Sequence, residues 1–329
     1  MSVVSHPHEF PPQEVSWLQR DVLLFANSIG VKANDLHFLY ELHPRFCVFP
    51  TYPLILPFKL TDQEVIEFYS RNALNTVPGA PPSLDLRYAV DGQRKLTILK
   101  PLPTSSAGRR FELRNQLIGV YDKGASGSSI ETAQCVVDAD SGDVYAVTRT
   151  MNFLPGQGNW GGERGPRTPA HNVPNRPPDA RHTVQTSEET VFLYRLNGDY
   201  NPLHAVPDVG KQMGLGGVII HGLFTWSSAC YGVLHACCGG GERSEPRRLQ
   251  EIEARFAAPV RPGDTVVTEI WRETAEARKQ GRGVLPKEEQ EQEEEEVAVF
   301  RTVNQDGVVV LSNGRAVVGK REREISSRL

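Results

Sequence analysis

Nothing in the sequence approaches the roughly 20 consecutive apolar residues that a membrane-spanning helix needs, so no membrane partner is expected. Positive charge is not in excess either. Lys and Arg number 36 against 40 Asp and Glu, a net charge of −4, and neither nucleic acid nor an anionic lipid surface is an expected partner. Cysteine is scarce and poorly spaced for metal. The five cysteines include the adjacent Cys237 and Cys238 but no C-x-x-C pair, which argues against a structural zinc site. The opening MSVVSHPHEFPPQE has no basic-then-apolar export pattern. The cysteines are therefore expected as reduced, small apolar residues. Also missing are G-x-S-x-G, a P-loop and H-E-x-x-H. Covalent acyl transfer, phosphoryl transfer and zinc-assisted hydrolysis all lose ground with them.

What is present suits a globular chain. Its 329 residues, 39% hydrophobic and 23% charged, are enough for two domains with their own cores. The stretch SWLQRDVLLFANSIG predicts a helix capped by Ser16 and ended by Gly30, with Leu18, Val22, Phe25 and Ile29 as its apolar stripe. LTDQEVIEFYSR predicts a second, short helix opened by Thr61. From Leu84 to Asn152 the pattern turns to strands. LDLRYAV, KLTILKPL, RRFELRNQLIGVYDK, SIETAQCVVDA and DVYAVTRTMNF are separated by the turn signals DGQ, KGASG and DSGD, as in an antiparallel meander. A Gly/Pro/Arg-rich connection follows from Pro155 to Arg181. It contains a formal G-x-G-x-x-G at Gly156, Gly158 and Gly161, but GERGPRTP comes next and no helix can start there, so a dinucleotide fingerprint is not expected.

The second half repeats the plan. Thr186 and Glu189 are spaced as a capping box before Val191, Phe192, Tyr194 and Leu196. GLFTWSSACYGVLHAC, from Gly222, is apolar or small on every face, as a fully buried helix should be. Four strand-like segments follow, RRLQEIEARFAAPV, DTVVTEIW, VAVFRTVN and GVVVLSNGRAVVG. The acidic run Glu288 to Glu296 between two of them is expected to be a solvated hairpin extension, since it lacks the glycine and alternation of a calcium loop.

The chemistry concentrates in YRLNGDYNPLH, Tyr194 to His204. Asp199 and His204 flank the bend at Asn201-Pro202, so a carboxylate and an imidazole can share one water and divide the acid and base roles, with the Asn201 amide orienting that water. The competing expectation is an Asx-type turn, with Asp199 and Asn201 bonded only to local backbone. Gly222 opens the buried helix, where free N–H groups and the positive end of the helix dipole can stabilise a developing oxyanion. An acid/base pair and an oxyanion site without a nucleophile suit addition or elimination beside a carbonyl.

LYRLNGDYNPLH followed by IIHGLFTW resembles the signature of the enoyl-CoA hydratase 2 family, the MaoC-like hot-dog hydratases. FCVFPTYP, LKPLP, VYDKGASG, NRPPDA and ARFAAPVRPGDTVVTEIW extend the likeness to the hydratase portion of peroxisomal multifunctional enzyme type 2. The resemblance implies an α+β double hot-dog fold. The N-terminal repeat, residues 1–153, would hold the acyl chain, residues 154–181 would link, and residues 182–320, with the acidic insert 287–296, would be catalytic. It implies Asp199 and His204 as the acid/base pair, Asn201 as their partner and the Gly222 N–H as donor to a thioester oxygen. It implies hydration of trans-2-enoyl-CoA to (3R)-3-hydroxyacyl-CoA with no metal or redox cofactor, CoA being part of the substrate. Tyr194 is carried as a substrate-binding candidate, and Arg255 as a cation for CoA phosphates. A homodimer is among the expectations. Ser327, Arg328 and Leu329 resemble the S-K-L peroxisomal address, so an import receptor is an expected partner and 321–329 a targeting tail. Two other readings stay open: a dehydratase working on a biosynthetic 3-hydroxyacyl thioester, and a non-catalytic acyl-CoA binder that would have no need of Asp199, Asn201 and His204. AVPDVGKQMGLGGVI, between His204 and IHG, departs from the family wording and leaves substrate preference open.

Overall fold

The computed structural model describes residues 7–68, 77–273 and 296–319. The first half begins with two short strands, β1 (His8–Glu9) and β2 (Gln13–Val15), then α1 (Gln19–Ser28), α2 (Leu36–Leu39) and α3 (Leu56–Lys59). Its meander is β3 (Val90–Ile98), β4 (Phe111–Asp122), β5 (Gly127–Asp138) and β6 (Val144–Pro155). The second half runs β7 (Ala180–Gln185), α4 (Thr190–Tyr194), α5 (Pro207–Gln212), α6 (Gly222–Cys238), β8 (Leu249–Phe256), β9 (Thr265–Glu273), β10 (Glu296–Asn304) and β11 (Val309–Val318). All pairings are antiparallel. Strand order is β1-β4-β5-β6-β3-β8-β11-β10-β9-β7, with β2 added on β4. The two half-sheets join where β3 pairs with β8, giving the double hot-dog arrangement.

The buried helix is α6. Phe224, Trp226, Ala229, Cys230, Tyr231, Val233 and Leu234 on all its faces are at most 3% exposed, and it contacts all five strands of the second half, β7 to β11. Among the described residues of the first half no helix is buried all round. Trp17 packs on Phe111, which meets Tyr145, while α1 turns Phe25 towards Phe49, Tyr52 and Tyr194. One continuous core therefore runs through both halves, and the first half's sheet and short helices close the space beside the second half's helix.

Several expectations need correction. Helix α1 starts at Gln19 because the Leu18 N–H donates to the Asp21 carboxylate at 2.9 Å, while Ser16 is drawn away by the Leu60 carbonyl. Leu18 is exposed and not part of the stripe. Residues 61–67 carry no helix, so Thr61 does not open one; Phe68 is helical, and 69–71 of that segment lie outside the described residues. Around LDLRYAV the backbone of Asp85 is held at both its N–H and C=O by the Gln157 amide, so Leu86–Tyr88 forms a 3-10 turn and the strand starts at Val90. The capping box does not form. The Thr186 N–H and hydroxyl both donate to the Asp264 carbonyl, 2.9 and 2.8 Å, because β7, unforeseen in the sequence, pairs with β9 up to Gln185. The G-x-G-x-x-G loop wraps the Asp122 carboxylate, which accepts the N–H groups of Gly124, Asn159 and Gly161 at 2.7–2.8 Å. Glu296, the last residue of the acidic run, belongs to β10 and pairs with Arg272; 287–295 and the tail 321–329 lie outside the described residues.

Candidate active site

Helix α4 runs into a 3-10 turn, Arg195–Asn197, which Gly198 ends with φ at +115°. A side chain is excluded there twice over, by that left-handed backbone and by the Lys59 Cα, which would stand 2.8 Å from a Cβ. Asp199 follows. Its Oδ1 accepts the Asn201 N–H at 3.3 Å, and Asn201 Oδ1 accepts the Leu203 N–H at 3.0 Å, opening the 3-10 turn Pro202–His204. The Asx-type contacts are thus present. They tie the loop to itself through one lone pair of the Asn201 oxygen, which leaves its amide nitrogen to donate to a water.

Asp199 and His204 are each 7% exposed, and both line one cavity of about 610 Å³ with Asn201 and Gly222. His204 Nδ1 lies 2.8 Å from the Ile219 carbonyl. A carbonyl only accepts, so Nδ1 carries the proton and Nε2 keeps its lone pair for chemistry. Behind it stands His221, which sequence reasoning missed. Its ring stacks on His204 at 3.8 Å, and its Nε2 faces the Asp199 carbonyl at 3.2 Å. The only sequence signal for it was its place just before Gly222, as N-cap of α6.

Burial raises the Asp199 carboxyl above its ordinary range, opposed by His204 and by the Asn201 N–H. Burial lowers His204, opposed by the Asp199 charge. Burial drives His221 well below the usual imidazole range, and His204 adds to the effect. Burial thus moves Asp199 up and His204 down, towards each other, and each group's charge favours the charged form of the other, an environment of the kind found around acid/base pairs. The ionisable atoms of Asp199, His204 and His221 lie within 4.8 Å of one another. Stacked rings turn their in-plane lone pairs side by side, whereas an ion held about 2 Å from each nitrogen needs them to converge. The arrangement favours proton traffic over chelation.

Gly222 is the first residue of α6. Phe224 and Thr225 donate to the His221 carbonyl, whereas the first N–H groups of a helix have no acceptor within it. They sit at the positive end of the helix dipole, at the cavity wall. A Cβ on Gly222 would stand 2.9 Å from the Phe256 ring, so glycine is what fits between that ring and the cavity. Apolar side chains complete the wall, among them Phe58 from the first half and Leu203, Ile219 and Leu223 from the second. The first half also supplies three polar residues that no sequence signal marked, Asp91, Arg94 and Asn152.

Two candidates fall outside this site. Tyr194 is 1% exposed and is not among the cavity's lining residues; its ring packs on His221 and Phe224, so it supports His221 from behind. Arg255 is exposed on β8. Its neighbour Phe256 lines the cavity, and strand alternation turns Arg255 to the opposite face, the one where His171 of the connection covers Glu253 at 2.7 Å.

Comparison with known proteins agrees with this layout. Residues 16–156 match the MFE-2 hydratase 2 N-terminal domain and residues 169–304 the MaoC like domain. A probable dehydratase of Ajellomyces capsulatus is 44% identical over 98% of this chain and 84% of its own length. A probable enoyl-CoA hydratase 2 of Dictyostelium discoideum is 31% identical over 94% of each. The solved structure of a MaoC-like dehydratase from Phytophthora capsici superposes with a TM-score of 0.75 at 28% identity, over 95% of this chain and 96% of that one. With its Asp199–His204 loop set against the N-terminus of a buried helix and 94–98% of its length matched by these two relatives, the chain belongs to the MaoC-like hydratase and dehydratase family, as a hydro-lyase of the hydratase 2 type.

Proposed function

We propose that the protein catalyses the reversible hydration of a trans-2-enoyl-CoA to the (3R)-3-hydroxyacyl-CoA. The observation that carries this is the pairing of two buried, oppositely shifted groups, Asp199 and His204, with the open N-terminus of α6 in one largely apolar cavity. The enoyl thioester lies with its carbonyl on the Gly222 N–H, which draws electron density from C3. A water held between Asp199 and His204 Nε2 adds its oxygen to C3. Its proton passes to the pair, and the pair returns one proton to C2, so that one water is consumed and no cofactor enters. Asn201 holds the loop in register and offers its amide nitrogen to the water. The acyl chain occupies the apolar wall contributed by the first half, and CoA remains part of the substrate.

The relative named a dehydratase favours a second reading of the same site, elimination of water from a 3-hydroxyacyl thioester. Both directions pass through one transition state, so substrate supply decides between them. A non-catalytic acyl binder is disfavoured because burying Asp199 and His204 brings a binder no return. Peroxisomal sorting through Ser327, Arg328 and Leu329, a homodimer and a role in fatty-acid oxidation complete the proposal. Purified protein incubated with crotonyl-CoA and with a longer enoyl-CoA should bleach the enoyl chromophore. No change with either, and none in reverse from the 3-hydroxyacyl-CoA, would overturn the assignment. A fluorescent fusion lacking 327–329 should stay cytosolic; entry into peroxisomes would refute the targeting role.

A further inference from the structure

Asp91 and Arg94 lie three residues apart on β3, and strict alternation would send their side chains to opposite faces. The register with β6 shows why they share one. Asp91 stands opposite Asn152 and Gln93 opposite Met151, so the strand carries one extra residue, Gly92. This is a β-bulge, a device that re-aims a side chain. A Cβ at position 92 would lie 2.7 Å from the Met151 carbonyl oxygen, so glycine is needed there. Both side chains consequently line the cavity, and Arg94 Nη2 donates to both Asp91 oxygens, at 3.0 and 3.1 Å. Arg94 is only 8% exposed. A buried ion pair is weak evidence for stability, since well-packed apolar residues of the same volume often do as well or better. Here the pair sits in a mostly apolar wall, so its value lies elsewhere.

The charged and titratable groups around Asp199 come from four places. His204 and the Asn201 N–H belong to its own loop, His221 to the head of α6, Tyr194 to α4, and Asp91 and Arg94 to β3. Arg195 acts on His221 and stacks over Tyr200. Arg94 favours the charged form of Asp199 and Asp91 opposes it, and the Asp91 charge also reaches His204.

We propose that Asp91 and Arg94 are a positioning pair for the Asp199–His204 unit, through which the first half, by way of the Gly92 bulge, supplies the fixed charges that hold the unit in its working protonation state. The pair touches no reacting atom and acts through Asp199. The kinetic arm of the test rests on the hydration reading above; the spectroscopic arm does not.

A positive charge lowers the pKa of any neighbour, whichever of Asp199 and His204 takes the water proton. Arg94→Gln should move both limbs of the pH–kcat profile to higher pH. Asp91→Asn, which leaves the Arg94 charge unopposed, should move both to lower pH. Shifts on the order of half a unit are expected, smaller than the 1–3 units of a directly adjacent charge. Arg94→Lys should restore the wild-type profile. The double variant Asp91→Asn/Arg94→Gln, which buries no unpaired charge, should fall between the singles. The same signs should appear in an NMR titration of the His204 ring protons, recorded without substrate. Loss of kcat with unmoved limbs and an unmoved His204 titration, or shifts of one sign in both singles, would overturn the proposal and reduce the pair to packing. If the wild type turned nothing over, the His204 titrations would still decide, and only the hydration reading would fall.

Discussion

Replacing Asp199 by Asn should cost activity and add stability, and the two effects come from one physical cause. The carboxylate is 7% exposed and its pKa is raised, chiefly by desolvation. A carboxyl whose folded pKa lies above its unfolded value stabilises the fold below the unfolded pKa, and that contribution is lost as pH rises through the folded pKa. At pH 7 the ionised Asp199 is therefore a burden on the fold, worth about 1.4 kcal/mol for each unit by which its pKa is raised. Asn is isosteric, stays neutral and keeps an oxygen for the Asn201 N–H, so the loop should persist and Tm at pH 7 should rise, by about 2 °C per kcal/mol in a chain this long. The gain should shrink in melts at successively lower pH, as the wild-type carboxyl becomes protonated too. Without the acid/base group, kcat should fall by roughly 10²-fold or more. Thermal melts from pH 7 to 4 together with the enoyl absorbance assay measure both effects. A variant that melts lower at pH 7 would show that the charged carboxylate serves the Asx turn, and the functional argument for the loop would fail.

His204→Ala should also lower kcat by about 10²-fold or more, and combining it with Asp199→Asn should add little to the worse single, since the two act as a unit; multiplicative losses in steady-state kinetics would contradict this. His182, partly buried beside Tyr231, is lowered to about 4, chiefly by desolvation. Its depressed pKa means that the unfolded chain binds the extra proton, so stability should fall as pH drops from 6.5 towards 4, by on the order of 2 kcal/mol, and denaturant titrations of His182→Leu should lack that slope. In Gly222→Ala the new methyl group meets the Phe256 ring at 2.9 Å and should displace that ring, which lines the cavity. The overpacking, about 1–3 kcal/mol, is partly offset by the better helix propensity of Ala, so kcat/KM should drop by about tenfold or more while Tm changes by only a few degrees; unchanged kinetics with long-chain substrates would remove Gly222 from the site.

The features legible in the sequence were those whose physics is local. Helix α6 announced itself because an all-round apolar segment has nowhere to go but the core, and β4, β5 and β6 because β-branched residues alternated between clear turns. The Asp199–His204 pair was legible because its whole geometry fits within six residues and one proline bend. Features set by distant partners were not. Strand β7, ARHTVQ, is a partly polar edge strand that only its pairing with β9 defines. DGQ reads as a turn, yet the same glycine chemistry builds a bulge inside β3. The face on which Arg255 points depends on strand phase, which exposed polar residues do not fix. His221 reaches Asp199 across 22 residues, and Asp91 and Arg94 join the cavity through the β3–β8 junction of the two halves, a contact no single stretch encodes.

The handedness of the product tests the central claim most directly. One short loop presents Asp199 and His204 to the cavity, with Gly222 at the head of α6 in the same wall, and in the proposed reaction the Gly222 N–H receives the thioester carbonyl. A water between the two groups then reaches only one face of C3, and the proton for C2 comes from the same side. Hydration in deuterated water, followed by chiral analysis of the 3-hydroxyacyl product and its C2 label, should give the (3R) alcohol by syn addition. A (3S) product would contradict the assignment to the hydratase 2 type, and a racemic product would show that Asp199 and His204 do not position the water.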